Sequence, residues 1–298
     1  MIQNQATLSG MKMEQHRASP EEFPARNSRG DLRNLNLSDN YLFEKVMQDP
    51  ELCRRVLEEI LQVSIQKVET IHTEHSEQIR PDSKGIRMDV YVNDAAGSVY
   101  NVEMQTGHSS NLPKRARYYQ DIIDLELLAG GQDYIQLNRS YVIFICTFRL
   151  FGHDRHIYTF VNTCREAPSL ELGDETTKIF LSTRGILKDG SDDLLAFLNY
   201  VENSTDEFAE NTDSELVRAI HRKVQEVKDT RKYQVEYMTL YMHEQDIARE
   251  ARSEGRAAAK EEAISQVADY LQNTDPQMSR EEAVSKAAEI LASPVTQS

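Results

Sequence analysis

A chain of 298 residues carries 34 Lys and Arg against 49 Asp and Glu, a formal net charge of −15, with 39% of its residues hydrophobic and 28% charged. Such a balance fits a soluble globular protein and argues against an indiscriminate nucleic-acid binder, which needs positive charge against phosphate. No run approaches the roughly 18 apolar residues of a membrane span, the N-terminus lacks the apolar stretch of a signal peptide, and three separated cysteines (Cys53, Cys146, Cys164) suit neither a disulfide framework nor a zinc ribbon, so a cytoplasmic setting is the expectation.

Residues 1–33 are rich in Gln, Asn, Ser, Arg and Glu without apolar periodicity and are expected to form a disordered tail, with order beginning at Leu35. A main domain is expected over 34–245 and a helical extension over 246–298. Ser38 or Asp39 is placed to cap a helix carrying Leu42, Phe43, Val46 and Met47. Pro50 opens a second, with Leu52, Val56, Leu57, Ile60 and Leu61 spaced three and four apart. Ile65, Val68 and Ile71 read as a strand, and a polar loop over 74–85 holds Pro81, Asp82 and Gly85. Residues 86–93 and 98–105 are β-branched runs joined by a glycine-bearing turn, a hairpin signal. A helix is expected over 112–129, with Tyr118, Ile122, Leu125 and Leu128 on one side and Gly130-Gly131 stopping it. The apolar run 141–148 suits the centre of a sheet covered on both faces. Short strands follow at 156–162 and 178–182, then an amphipathic helix over 192–201.

From Ser214 the chain reads as helix, with Leu216, Ile220, Val224 and Val227 on one stripe and a solvated Ala/Glu/Arg/Lys composition from about 246. Glu261-Glu-Ala-Ile-Ser265 is echoed by Glu281-Glu-Ala-Val-Ser285. Asn273, Asp275 and Pro276 break the helix between them, and Ser279 and Glu282 are spaced as a capping box. A helical hairpin serving docking or homodimerisation is the expectation.

In the 86–105 hairpin, alternation puts Met88, Val90 and Val92 on one face and Arg87, Asp89, Tyr91 and Asn93 on the other. On the second strand, Asn101, Glu103 and Gln105 share the polar side. If Asn93 lies opposite Ser98, Asp89 faces residue 102 with Glu103 beside it; one register step away, Asp89 faces Glu103 directly. Either way two carboxylates sit side by side, where they repel and raise one another's pKa unless a cation lies between them. A hard divalent ion such as Mg²⁺ suits one or two carboxylates together with waters and phosphate oxygens, and Gln105 points into the same space. The same pattern fits an ordinary amphipathic hairpin with a solvent-facing polar side.

Asp89 followed on the next strand by Glu103-Met-Gln105 resembles the PD-(D/E)XK nuclease signature. Further segments, in order, are Asp39-Asn-Tyr-Leu-Phe43, Arg87-Met-Asp89, Val102-Glu-Met-Gln105, and Arg117-Tyr-Tyr119 leading to Gly130-Gly-Gln-Asp-Tyr134. Val142-Ile-Phe-Ile145 followed by Phe151, and Tyr237-Met-Thr-Leu-Tyr241, complete the set. Together, over roughly residues 36–250, their order and spacing resemble the recombination-promoting nuclease and transposase family of bacteria within that superfamily. The resemblance implies an α/β fold: a PD-(D/E)XK restriction-endonuclease-like core, a central mixed sheet flanked by helices, plus a C-terminal helical extension. It implies a Mg²⁺-dependent DNA endonuclease, with Mn²⁺ as a substitute, associated with mobile elements and recombination. Asp89 and Glu103 would be metal ligands, with the Met104 carbonyl as a third. Gln105 stands where the superfamily usually has Lys; it donates hydrogen bonds but carries no charge, so activity is expected to be low or helped by Arg115 or Arg117.

Asp39 is either a helix N-cap or an outer acid of the site. Lys114, Arg115 and Arg117 either contact DNA phosphates or form a solvated helix start. Tyr118 and Tyr119 read as packing residues rather than base-stacking platforms, and Cys146 as inert packing. His153 with His156, and His72 with His75, lack the second cluster that completes a tetrahedral metal set. Pro81-Asp82 reads as a decoy. Neither a Walker-type phosphate loop nor a Gly-x-Ser-x-Gly elbow occurs. Residues 80–165 hold ten basic and nine acidic side chains, so any polyanion would be met by the middle of the chain. Two readings stand: a nuclease acting on DNA, and a catalytically weak scaffold serving as a protein- or DNA-interaction module. A ring of Lys114, Arg115, Arg117, Arg149 and Arg155 around Asp89 and Glu103 favours the first, and scatter favours the second.

Overall fold

The computed structural model describes residues 30–77, 86–108 and 110–292, with the side chains of 74–77 excepted. Most of the expected tail and the Pro81-Asp82 pair lie outside the described residues. Order does not wait for Leu35: a 3-10 turn at Leu32–Asn34, capped by Asp31, seats Leu32 in the core. One apolar anchor among polar neighbours carries too little periodicity to be seen in the sequence.

Helices α1 (Asn40–Met47) and α2 (Pro50–Leu61) start as their sequence directs. The Asp39 carboxylate accepts from the N–H groups of Tyr41 and Leu42, Asp49 does the same for Glu51 and Leu52, and Pro50 occupies the first turn of α2. The chain then runs β1 (Val68–Glu77), β2 (Ile86–Asp94), β3 (Val99–Gln105), α3 (Leu112–Leu127), β4 (Ser140–Cys146), β5 (Ile157–Phe160) and β6 (Thr176–Ser182). Helices α4 (Asp192–Glu202), α5 (Asp206–Asn211), α6 (Glu215–Asp229), α7 (Arg231–Thr274) and α8 (Arg280–Ala292) follow. The six strands form one mixed sheet in the order β1-β2-β3-β4-β6-β5. β1, β2 and β3 pair antiparallel, β3, β4 and β6 parallel, and β5 returns antiparallel on β6. β4 lies inside the sheet, buried at every residue but Tyr141, as an apolar run without alternation requires.

Both faces of the sheet are covered. Val90, Val92, Val102, Ile143, Ile145 and Leu181 pack beneath α1, α2, α4 and α6. Tyr91, Val99, Val142, Phe144 and Phe180 pack beneath α3. The polar side of the hairpin therefore lies under a helix rather than in solvent, and β3 is buried from Val99 through Met104.

Three expectations are corrected. β1 continues to Glu77, into residues expected as loop, because β2 pairs with it as far as Glu77↔Ile86. In α3 the buried residues are Leu112, Ala116, Tyr119, Gln120, Ile122 and Ile123; Tyr118 is half-buried and Leu125 is 61% exposed. Two apolar stripes interleave there, and the contact of Tyr119 with the Phe144 ring (centroids 6.1 Å apart) goes with the second. Met88 packs with Ile86 in the α3-side cluster, whereas Val90 and Val92 pack in the larger one, so the alternation slips at Asp89.

Tyr41 ties α7 to the core: its ring lies 5.3 Å from that of Tyr237, and its hydroxyl donates to the Tyr233 carbonyl (3.0 Å). α7 runs unbroken across residue 245 and turns into α8 through the capping box, in which the Ser279 hydroxyl accepts from the Glu282 N–H (3.2 Å) and the Glu282 carboxylate from the Ser279 N–H (3.3 Å). Ala268, Ala283 and Ala287 make the close helix-to-helix contact of that hairpin. Among the described residues no helix is long and apolar enough to cross a membrane.

Candidate active site

The turn between β2 and β3 sets the site. Asp94 folds over it, its Oδ1 accepting from the N–H groups of Ala96 (2.9 Å) and Ser98 (2.8 Å) and its Oδ2 from the Tyr100 hydroxyl (2.6 Å). Gly97 takes a left-handed φ of +82°, and a Cβ there would stand 2.9 Å from the Asn138 amide nitrogen. The Asp94 N–H then reaches the Ser98 carbonyl (3.1 Å), closing a loop over 95–97. Asn93 accordingly pairs with Val99, not Ser98, and Val90 with Val102. The ladder ends there, and extended by one step this register, the second of the two expected, brings Asp89 to Glu103.

At that step side chains replace the backbone ladder. The Asp89 N–H donates to Glu103 Oε1 (3.2 Å), and the Met104 N–H donates to Asp89 Oδ2 (3.0 Å). Each acid is thus gripped by the other strand. Asp89 is 7% exposed and Glu103 1%. From α1, the Asn40 amide approaches Asp89 Oδ2 (3.5 Å), and one turn later the buried Glu44 lies 3.7 Å from the Arg87 guanidinium. Asn40 and Glu44 escaped the sequence reading; their i, i+4 spacing on a helix with Lys45 as its one other charged residue was the available signal.

From the other side comes Arg115, in the first turn of α3. Its Nη2 donates to Glu103 Oε2 (2.7 Å), its Nη1 to Gln105 Oε1 (2.8 Å), and its Nε to the Tyr119 hydroxyl (2.9 Å). The guanidinium also lies 5.0 Å from the centre of the Tyr119 ring and 5.4 Å from that of Phe144. Gln105 Nε2 donates back to the Gly107 carbonyl (2.8 Å). One planar fork therefore binds both residues of the second half of the motif.

Burial, then the charge of Asp89, push the Glu103 carboxyl up to about 8, against the opposing pull of Arg115 and of the Asp89 N–H. The Arg115 guanidinium is held charged: burial acts most strongly and lowers its pKa, but Glu103, Tyr119 and Asp89 together more than offset this and the net shift is upward. Burial and the Glu103 charge raise the Tyr119 hydroxyl to about 12. Asn101, wholly buried two residues before Glu103, turns its amide toward that carboxyl and adds to the pull that lowers the Glu103 pKa.

Asp39 serves as the α1 cap, and its neighbour Asn40 is the residue that reaches Asp89. Lys114 and Arg117 are exposed on α3. Arg149 pairs with Asp154 (3.1 Å) and Arg155 with Asp189 (3.3 Å). Of the five cations considered, Arg115 alone touches the acid pair; the others do not ring it. His156 is buried with its Nδ1 against the Ser182 carbonyl (3.0 Å), and His153 is exposed. Among the described residues no group of three or more His, Cys, Asp or Glu is arranged to hold a metal. The donor set is two adjacent carboxylates; this fits a small hard cation that keeps several waters, and does not fit an all-protein cage.

A family model described as PD-(D/E)XK nuclease family transposase matches residues 40–254, more than half of the chain. No curated protein and no solved structure matches. The chain belongs to the PD-(D/E)XK nuclease family transposases, and its mixed sheet flanked by helices is consistent with their α/β fold.

Proposed function

We propose that this family member hydrolyses DNA phosphodiesters as a metal-dependent endonuclease, with Asp89, Glu103 and Gln105 at its centre and Mg²⁺ or Mn²⁺ as the cofactor. The observation that carries the reading is the reciprocal grip of Asp89 and Glu103, which keeps two buried carboxylates adjacent despite their repulsion. Asp89 and Glu103 would hold the ion, with the Met104 carbonyl as a third ligand. When bound, such an ion polarises the phosphodiester and lowers the pKa of an attacking water. Ionised Glu103 would be the form that holds the ion, and the Arg115 guanidinium stabilises that form. Gln105 Nε2 and Arg115 supply donors for a non-bridging phosphate oxygen, partly replacing the charge of the usual Lys. Lys114 and Arg117 are free to meet phosphates further along the strand, and Asp39 would serve the site through its α1 cap, which sets Asn40 beside Asp89. The 34–245 segment would be the catalytic unit and the 246–298 helices its extension and dimer contact.

Two observations favour the second reading, a weak or inactive scaffold: Arg115 already binds Glu103 and occupies Gln105, and the other four cations do not ring the acid pair. Nicking of supercoiled plasmid with Mg²⁺ and then Mn²⁺ separates the two. Asp89→Asn keeps an acceptor for the Met104 N–H but loses the charge, so nicking should fall by about 100-fold or more, matching the several kcal/mol a metal supplies. Equal nicking by both proteins defeats the assignment. Absence of nicking together with absence of Mn²⁺ binding leaves the scaffold.

A further inference from the structure

Across 242–262, α7 is exposed at every residue except the half-buried Ala248. Its charges are sorted by side. At about 100° per residue, Arg249, Arg252, Arg256 and Lys260 fall within an arc of about 80°. Ala248 and Ala259 flank this arc on one side and Ser253 on the other, and the acids Asp246, Glu250, Glu254, Glu261 and Glu262 lie around the rest of the helix. Arg249 makes an exposed pair with Asp246 (3.4 Å). Arg252, Arg256 and Lys260 have no acid within ion-pair distance among the described residues, in a chain whose net charge is −15. A helix stabilised mainly by its own i, i+4 pairs would intersperse the signs. Here all four cations are aligned and three of them are left unneutralised.

We infer that this side of α7 is a contact surface for the phosphate backbone of duplex DNA. The choice of DNA rests on the nuclease reading; the surface itself lies partly outside the segment that family membership covers, since Arg256 and Lys260 follow residue 254. Eleven residues of helix separate Arg249 from Lys260, about 16 Å at 1.5 Å per residue. That is the rise of about five base pairs at 3.4 Å each. A straight row of four cations of that length matches successive phosphates along one groove edge. The small residues flanking the row let the helix backbone come close. Contacts of this kind position DNA without reading its sequence.

The test is binding of a fluorescent 30-base-pair duplex by the full-length protein in EDTA over a range of KCl. Arg252→Gln/Arg256→Gln/Lys260→Gln is compared with Arg165→Gln/Lys188→Gln/Arg222→Gln, which removes the same charge at exposed positions elsewhere. Circular dichroism confirms the helix content of both. The α7 variant should lower the slope of log K against log [KCl] by about 2.7, or about 0.9 per lost phosphate contact, for every duplex sequence tried. The other variant should leave the slope near the wild-type value. Equal slopes for all three proteins, equal losses in both variants, or no duplex binding by the wild type would each overturn the inference. Binding is read without metal, so its outcome is independent of whether Asp89→Asn abolishes nicking.

Discussion

Replacing Arg115 with Met isolates the contribution of the guanidinium at the acid pair. The unbranched stem still packs on Tyr119 and Phe144, while hydrogen bonds to Glu103, Gln105 and Tyr119 are deleted together. Removing one partner of a buried ion pair costs about 3–5 kcal/mol. Two features reduce that here: the Arg115 side chain is 35% exposed, so solvent already screens it, and Glu103, pushed up to about 8, already carries a proton much of the time at pH 7, so the guanidinium faces a largely neutral acid. We expect a loss of about 2 kcal/mol. For a domain of this size that is a fall in Tm of about 4–8 °C. Thermal melts at pH 7 in EDTA of wild type, Arg115→Met, Glu103→Gln and the double variant measure it, and the cycle should return a coupling of about 1 kcal/mol or more. Additive effects in the cycle, or an Arg115→Met protein melting at the wild-type temperature, would refute the reasoning.

The remaining predictions concern pH, thiols, the motif glutamine and the terminal hairpin. The folded chain keeps a proton on Glu103 that the unfolded chain releases, so this group's stabilisation is full below its ordinary value of 4.5 and is lost as pH rises toward about 8. In EDTA the Tm of wild type should therefore drop relative to Glu103→Gln over that window, and parallel profiles would count against the raised pKa. Burial pushes the thiols of Cys53 and Cys146 up to about 12, whereas Cys164 is partly exposed. A thiol reagent at pH 8 should label one cysteine quickly and the other two only in denaturant. Gln105→Lys turns an acceptor of Arg115 into a second cation, so Tm should fall by a few degrees, roughly 1 kcal/mol, with no gain in nicking. A large gain would show that Arg115 does not occupy that role. Ala287→Asp buries a charge between α7 and α8; helical ellipticity should fall while the main melting transition stays in place.

Features fixed by near neighbours were legible in the sequence. Asp39, Asp49 and Pro50 announced the starts of α1 and α2, the Ser279/Glu282 spacing announced α8, and the unbroken apolar run of β4 announced an inner strand. The Asp89/Glu103 pairing was legible only as two alternatives, because the choice depends on a carboxylate, Asp94, that folds back over its own turn. The phase of α3 was misread because Tyr118 and Tyr119 begin two equally apolar stripes, and only Phe144, distant in sequence, distinguishes them. A polar face with alternating Asn101, Glu103 and Gln105 looks like a solvated one until α3 is placed over it. Asn40 and Glu44 reach β2 across more than forty residues of chain, beyond any local pattern.

The clasp at 95–97 also limits how this chain can change in length. Strand residues alternate faces with a period of two, so sliding β3 by a single position against β2 sets Val102 rather than Glu103 opposite Asp89, and sliding it by two sets Asn101 there. An inserted codon at this turn must therefore either open the Asp94 clasp or dismantle the acid pair. The loop before β6 sits next to the far edge of the sheet, away from both acids, and bears no such constraint. Among related chains, length variation should collect in that outer loop and be purged from this turn, an imprint of register that conservation of single residues would not reveal.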